Sequence, residues 1–267
     1  MVPRAARRHP MESPDTPSLA EQISAEIDPL YRFALSLSGD PSRAADLVQD
    51  TVVRAIERQD QYHGGSLRAW LKRILHNLAV DRARRASHEM VVERVEDLWR
   101  SDDYTVDTAD VVARIADLED LRDALESLPF IYRAAVVLHD AEGHTVAEIA
   151  DITGVSLPAA KQRLRRGRMM LVSALDEKST ARSRALHKGV PMRCWDARQH
   201  ISEYLDGALD ESTARAVEAH LAHCPTCPPL YAALVSVQNR MDDLRDPDSV
   251  VPPDLSDKIE AHLSGAG

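Results

Sequence analysis

Between Thr145 and Leu171 the chain reads TVAEIADITGVSLPAAKQRLRRGRMML, a stretch whose local chemistry leaves little choice of structure. Thr145 and Glu148 stand at the spacing of a capping box, and Ile149 and Ile152 give the helix that follows a buried side. Gly154 supplies a left-handed turn, Ser156 can cap a second helix, and Pro158 sits in that helix's first turn, where a missing N–H costs little. From Lys161 to Met170 there are five cations (Lys161, Arg163, Arg165, Arg166, Arg168) and no acid, while Val155, Leu164 and Leu171 keep an apolar seam. The expectation is a helix-turn-helix whose second helix is packed on one side and electropositive on the other, the form in which a protein holds DNA.

The overall charge restricts that reading. The chain has 33 Lys plus Arg against 43 Asp plus Glu, a formal charge of −10, so any grip on nucleic acid has to be local. Cations gather at Arg68–Arg85 and Lys161–Arg168, whereas acids dominate Glu89–Glu126 and the C-terminal end. With 267 residues there is room for two or three small domains, and the 4% aromatic content leaves Leu, Val, Ile and Ala to build the cores. Few segments alternate as strands do, so the fold class is all-α. No segment is apolar for long enough to span a bilayer, and Arg4, Arg7 and Arg8 lead into Pro and Ser rather than an apolar run. A cytoplasmic protein without a membrane partner is expected, and Met11 is an alternative start.

Seven segments follow from composition: a disordered tail 1–18, a helical domain 19–87, an acidic linker 88–110, the helix-turn-helix domain 111–177, a linker 178–190, a cysteine-bearing domain 191–244 and a tail 245–267 with a loosely held amphipathic stretch at Asp254–Leu263. In the first domain, Pro41–Arg58 repeats Ala45, Val48, Val52 and Ala55 or Ile56 at helical spacing. Ser66–Arg85 carries a stripe of Leu67, Trp70, Leu71, Ile74, Leu75 and Leu78, with Arg68, Lys72, Arg73, Arg82, Arg84 and Arg85 on the remaining faces. The Gly-containing loop Gln59–Gly65 joins them.

The run of ADLVQD, LRAWLKRILHNLAVDRARR and LPFIYRAAVVLHDAEGHTVAEIADITGVSLPAAKQRLRRGR resembles the extracytoplasmic-function sigma factors, bacterial transcription initiation factors, over about Leu19–Leu175. The resemblance implies that Asp46, Gln49 and Asp50 dock on core RNA polymerase. It also implies that the Gln59–Gly65 loop captures a flipped base of the −10 promoter element and that Arg82, Arg84 and Arg85 hold the strand backbone. Asn77 and Asp81 match the family's NxxxD pattern, with intrahelical capping and packing the alternative. At the −35 element, Lys161, Gln162, Arg165 and Arg166 would lie nearest the bases, and Arg163 and Arg168 could serve as phosphate clamps. Gln162 and Arg165 depart from the residues common in the family, so the promoter sequence stays open.

All three cysteines lie in the last domain, as Cys194 and then HLAHCPTC with His220, Cys224 and Cys227. Three thiolates and one imidazole suit tetrahedral zinc, one ion per chain, structural or redox-responsive. His200 and His223 are rival nitrogen donors. A small domain with few large apolar side chains would draw much of its folding energy from metal, and a disulfide framework fits neither the setting nor the odd cysteine count. This segment resembles the zinc-associated anti-sigma domain through the same ligand spacing and the YLDGALDE turn at Tyr204–Glu211. Tethered by Lys178–Lys188, it could inhibit the sigma-like domains in cis, assist promoter binding or receive another signal. Two other classes remain open: a helix-turn-helix regulator with a metal or redox sensor that ignores polymerase, and a zinc enzyme. The second is disfavoured, because a complete Cys3His shell leaves no position for water or substrate.

Overall fold

The computed structural model describes residues 17–83, 89–176, 192–245 and 251–264. Arg84, Arg85 and the Lys178–Lys188 tether lie outside the described residues, as does the N-terminal segment before Pro17. Among the described residues the regular structure is helical, as the composition led us to expect.

The N-terminal domain is built from α1 (Leu19–Ser24), α2 (Ile27–Ser38), α3 (Pro41–Glu57) and α4 (Leu67–Ala83). Asp40 caps α3 by accepting from the Arg43 N–H at 2.8 Å, and Pro41 enters the first turn. The apolar faces of α2, α3 and α4 then close on Leu30, Phe33, Val48, Leu71 and Leu75, all fully buried.

The helix-turn-helix domain contains α6 (Thr108–Ile115), α7 (Leu118–Ser127), α8 (Phe130–Val136), α9 (Val146–Thr153) and α10 (Leu157–Leu175), with α5 (Glu89–Arg100) ahead of it. The capping box at Thr145 and Glu148 forms, Gly154 turns the chain at φ 68°, and Ser156 caps α10. Gly167 lets α10 cross α8 closely, for a Cβ there would meet Val136 Cγ2 at 2.6 Å and the Tyr132 carbonyl oxygen at 2.8 Å.

The C-terminal module comprises α11 (Cys194–Gln199), α12 (Ile201–Leu205), α13 (Glu211–His223) and α14 (Cys227–Met241), followed by α15 (Pro253–Ser264). It packs against the helix-turn-helix domain, with α14 on α6 and both α12 and α14 on α10.

Two sequence expectations are corrected. The acidic stretch 88–110, read as a linker for want of steady periodicity, contains α5, which lies along α10 with Trp99 fully buried. Its apolar residues Val91, Val92, Val95, Leu98 and Trp99 recur at helical spacing between the acids, whose density in the stretch masked the pattern. The tail is not loose over Asp254–Leu263: α15 lies on α3 and α1 with Leu255 and Ile259 buried.

Candidate functional site

Residues Cys194, His220, Cys224 and Cys227 come together with all ligand atoms within 4.8 Å of one another, and all four are buried. Cys194 opens α11, His220 lies in the last turn of α13, Cys224 ends that helix, and Cys227 begins α14. The Sγ atoms of Cys194 and Cys224 stand 3.5 Å apart without a disulfide. His220 donates Nδ1–H to the Met192 carbonyl at 2.9 Å, which leaves Nε2 buried with no protein partner and directed to the cluster. Burial pushes the His220 pKa below its ordinary value, favouring the neutral imidazole that a metal needs. The Cys227 thiol is held down, first by a hydrogen bond from Cys194 and also by the Arg198 guanidinium, against the opposing effect of burial. An orphaned imidazole nitrogen facing three thiols fits a divalent ion of the zinc class. His200 and His223 are not in the set; His223 places Nδ1 on its own helix, 2.8 Å from the Ala219 carbonyl.

The cationic face of α10 divides in two. Gln162 is exposed and Lys161 and Arg163 are half-buried. Further along, Arg165 and Arg166 both reach Glu96 of α5, Arg166 through Nε at 2.7 Å and Nη2 at 3.1 Å, Arg165 at 3.5 Å. Arg165 also lies over the Trp195 ring of the C-terminal module, 5.5 Å from its centroid, beside Arg100 at 4.9 Å. Arg168, one of the two expected phosphate clamps, is 3% exposed and has a different employment. It pairs with Asp140 at 2.5 Å and with Asp206 of the C-terminal module at 2.9 Å. Asp140 sits below its ordinary pKa because His139 and Arg168 outweigh the cost of its burial. In this arrangement Arg168 has no free donor face for DNA, a correction to the sequence reading. The spacing that put it on the cationic side said nothing about the acids that cover that side.

The N-terminal domain presents a different surface. Asp46, Gln49 and Asp50 share one face of α3, with Asp46 and Asp50 exposed and Gln49 half-buried. Arg82 reaches Asp50 at 2.5 Å in a pair where both side chains are about half-exposed. Asn77 and Asp81 are exposed on α4. The Gln59–Gly65 loop is largely open, with Tyr62 donating to the Gly65 carbonyl at 2.9 Å and its ring 5.3 Å from that of Trp70. Lys72, expected among the solvent-facing cations of this helix, is 1% exposed and donates to Glu142 at 2.6 Å, 2.8 Å from His144 Nε2. It thereby ties α4 to the segment just before α9.

Sequence reasoning did not find Glu96, Trp195, Arg198 or Asp206 as site residues. Only Asp206 carried a signal, through the YLDGALDE turn in which it lies.

Comparison with known proteins matches three parts of the chain to family models: sigma-70 region 2 over residues 23–89, sigma-70 region 4 over 118–171 and a putative zinc-finger over 194–227. The chain is 37% identical over 163 residues to the ECF RNA polymerase sigma factor EcfG of Rhodopseudomonas palustris, covering 61% of this chain and 87% of that protein. It is 36% identical over 166 residues to the ECF RNA polymerase sigma factor SigE of Mycolicibacterium smegmatis, covering 61% of this chain and 64% of that protein's length. Among solved structures, the complex of the sigma factor RpoE with the anti-sigma factor NepR from Bartonella quintana aligns at 30% identity and a TM-score of 0.42, over 58% of this chain and 94% of that one. No described helix is long and apolar enough to cross a membrane.

Proposed function

Because the chain belongs to the extracytoplasmic-function sigma factors, we propose that it is a transcription initiation factor that docks on core RNA polymerase and carries it to promoter DNA, and that its fused C-terminal module holds it closed in cis. It is a DNA- and polymerase-binding protein rather than an enzyme. Asp46, Gln49 and Asp50 form the polymerase-facing side of α3. Arg82, with Arg84 and Arg85 beyond it in sequence, serves the −10 strand, and α10 serves the −35 element through Lys161, Gln162, Arg163, Arg165 and Arg166. One zinc ion per chain, held by Cys194, His220, Cys224 and Cys227, keeps the C-terminal module folded.

The observation that carries the closed form is the cover over α10. Asp206 and Trp195 of the C-terminal module, with Glu96 and Asp140, occupy Arg165, Arg166 and Arg168. A guanidinium already paired with carboxylates has to lose those partners before it can meet a phosphate or a guanine edge. The closed form also leaves Asp46 exposed and Asp50 only in a half-exposed pair with Arg82, so polymerase can engage region 2 while region 4 is still covered. Run-off transcription by the full chain and by a chain ending before Cys194, at equal concentrations with core enzyme, tests the reading. Higher output from the shortened chain supports it, and equal or lower output rejects inhibition in cis while leaving the sigma assignment intact.

A further inference from the structure

Arg198 is fully buried and, among the described residues, hydrogen-bonds to no carboxylate. Its Nε–H donates to the Cys227 Sγ at 3.3 Å. Nη1 donates to the carbonyls of Trp99 at 2.8 Å and Ser101 at 2.7 Å, and Nη2 to the Tyr104 carbonyl at 2.7 Å and to Thr226 Oγ1 at 3.2 Å. Every N–H of the guanidinium thus has its acceptor. Three of those acceptors belong to the segment between regions 2 and 4 and two to the metal-binding turn. Thr226 extends the connection by donating Oγ1–H to the Asp102 carbonyl at 3.0 Å, and Thr105 donates back to the Thr226 carbonyl, also at 3.0 Å.

Hydrogen-bond geometry alone does not explain a buried cation. A guanidinium held away from water needs a counter-charge, and among the described residues the Cys227 sulfur is the one hydrogen-bond partner of Arg198 that can carry it. A divalent ion with three thiolates and a neutral imidazole has one net negative charge, which the single positive charge of Arg198 cancels. The same guanidinium bridges that centre to the carbonyls of Trp99, Ser101 and Tyr104, so losing the ion removes the charge it balances at the end opposite to the one that holds the interdomain segment.

We propose that Arg198 is the coupling residue of this chain: it balances the charge of the metal–thiolate centre at one end and grips the backbone of residues 99–104 at the other, so that the interdomain segment is fastened only while metal is bound. The inference rests on the reading of Cys194, His220, Cys224 and Cys227 as a metal centre and names the regulation that centre exerts. The consequence reaches α10. Trp99 and Tyr104, whose carbonyls Arg198 holds, place Nε1 and the hydroxyl each 3.0 Å from Ser173 Oγ. Glu96, one turn before Trp99, holds Arg165 and Arg166. Releasing residues 99–104 therefore loosens the cover on the recognition helix without any direct contact between metal and DNA face.

Charge and shape are separable by two variants of the full-length protein. Arg198→Lys keeps the charge and loses the planar fork; Arg198→Gln loses the charge. Zinc affinity is measured by competition with a chromogenic chelator, and hydrogen exchange is followed at residues 99–104, with the α2 and α3 amides as the folding control. Arg198→Lys should keep close to the wild-type zinc affinity, yet exchange residues 99–104 about tenfold faster or more. Arg198→Gln should do the same and also lose roughly 10- to 100-fold in zinc affinity, the size typical of outer-shell partners. Unchanged exchange in zinc-loaded Arg198→Lys, or unchanged zinc affinity in Arg198→Gln, overturns the proposal. If either variant fails to fold, stepwise chelation of the wild type decides. Residues 99–104 must lose protection together with the metal and ahead of α2 and α3, and protection that outlasts the metal overturns the proposal. A wild-type protein that binds no zinc rejects the metal-centre reading itself, a result distinct from all of these.

Discussion

The chain has two cationic helices, α4 in region 2 and α10 in region 4, and their fates differ. On α4 the arginines Arg68, Arg73 and Arg82 remain exposed, although Arg68 pairs with Glu26 at 2.6 Å and Arg82 with Asp50. On α10 the cations from Arg165 onward are covered by acids and an aromatic ring from α5 and the C-terminal module. The helices carry similar numbers of positive charges. What separates them is neighbours: α4 lies beside the open loop Gln59–Gly65, whereas α10 is the central strut on which α5, α8, α9 and α14 converge. A cationic stripe is thus a capacity for nucleic acid, and packing decides when it is available.

The strongest way to break this contrast is to remove the cover. Chelation, or Cys224→Ser, should unfold the C-terminal module, since about 10–16 kcal/mol of apparent metal-binding energy in small structural zinc sites is folding energy. Amide exchange in α11–α14 should approach the unfolded rate while α2–α4 stay protected. A module that keeps its protection without metal would detach the cover from the metal centre.

Next in size, Arg168→Met should strand two carboxylates in a buried site and cost about 3–5 kcal/mol in urea unfolding. The matching change on the other helix, Arg82→Met, should stay within about 1 kcal/mol. Equal costs would erase the distinction between the two cationic faces.

His76 sharpens the comparison at the seam between the regions, where its ring lies 5.6 Å from that of Phe130. Burial, helped by repulsion from Arg163 and opposed by Asn77, lowers its pKa from 6.5 to about 4. The folded state therefore binds the proton less well than the unfolded chain. The stability due to neutral His76 is complete above pH 6.5 and is lost as the pH falls toward 4, a change on the order of 3 kcal/mol. His76→Phe should flatten the pH dependence of the urea midpoint in that window, and an unaltered profile would assign the acid sensitivity to other groups.

The smallest effect concerns direct reading of DNA. In the chain ending before Cys194, Lys161→Ala should weaken promoter binding by about 1–3 kcal/mol, with a smaller effect in the full-length protein, where the closed form limits access. The same loss in both would mean that the C-terminal module does not govern α10.

Much of the local architecture could be read directly from residues. The Thr145–Glu148 box, the Gly154 turn and the Ser156 cap depend on neighbours three or four positions away, and the ligand quartet declared itself by residue type and spacing. The stretch 88–110 reads as a linker for its acids, although Val91, Val92, Val95, Leu98 and Trp99 already stand at helical spacing in it; what the spacing could not give is where that helix packs. Trp99 is buried because it meets Ser173 and Tyr104 on an assembled surface, and its flanking acids are polar in composition but interior-facing in part through their arginine partners. The same holds for Lys72, whose buried position follows from Glu142 and His144 arriving from the other domain.

The sequence by itself determined the two helices of the helix-turn-helix with their caps and turn, the all-α class and the donor set for a metal, because each is governed by interactions within a few residues or by the chemistry of one side chain. Only the tertiary structure decided which cations are free, where the acidic stretch lies and how the metal centre reaches the rest of the chain. Arg168 finds Asp206 across 38 positions and Arg198 finds Trp99 across 99. Ion pairs and hydrogen bonds over such separations leave no periodic trace, since they depend on how whole helices are set against one another once their apolar faces have closed.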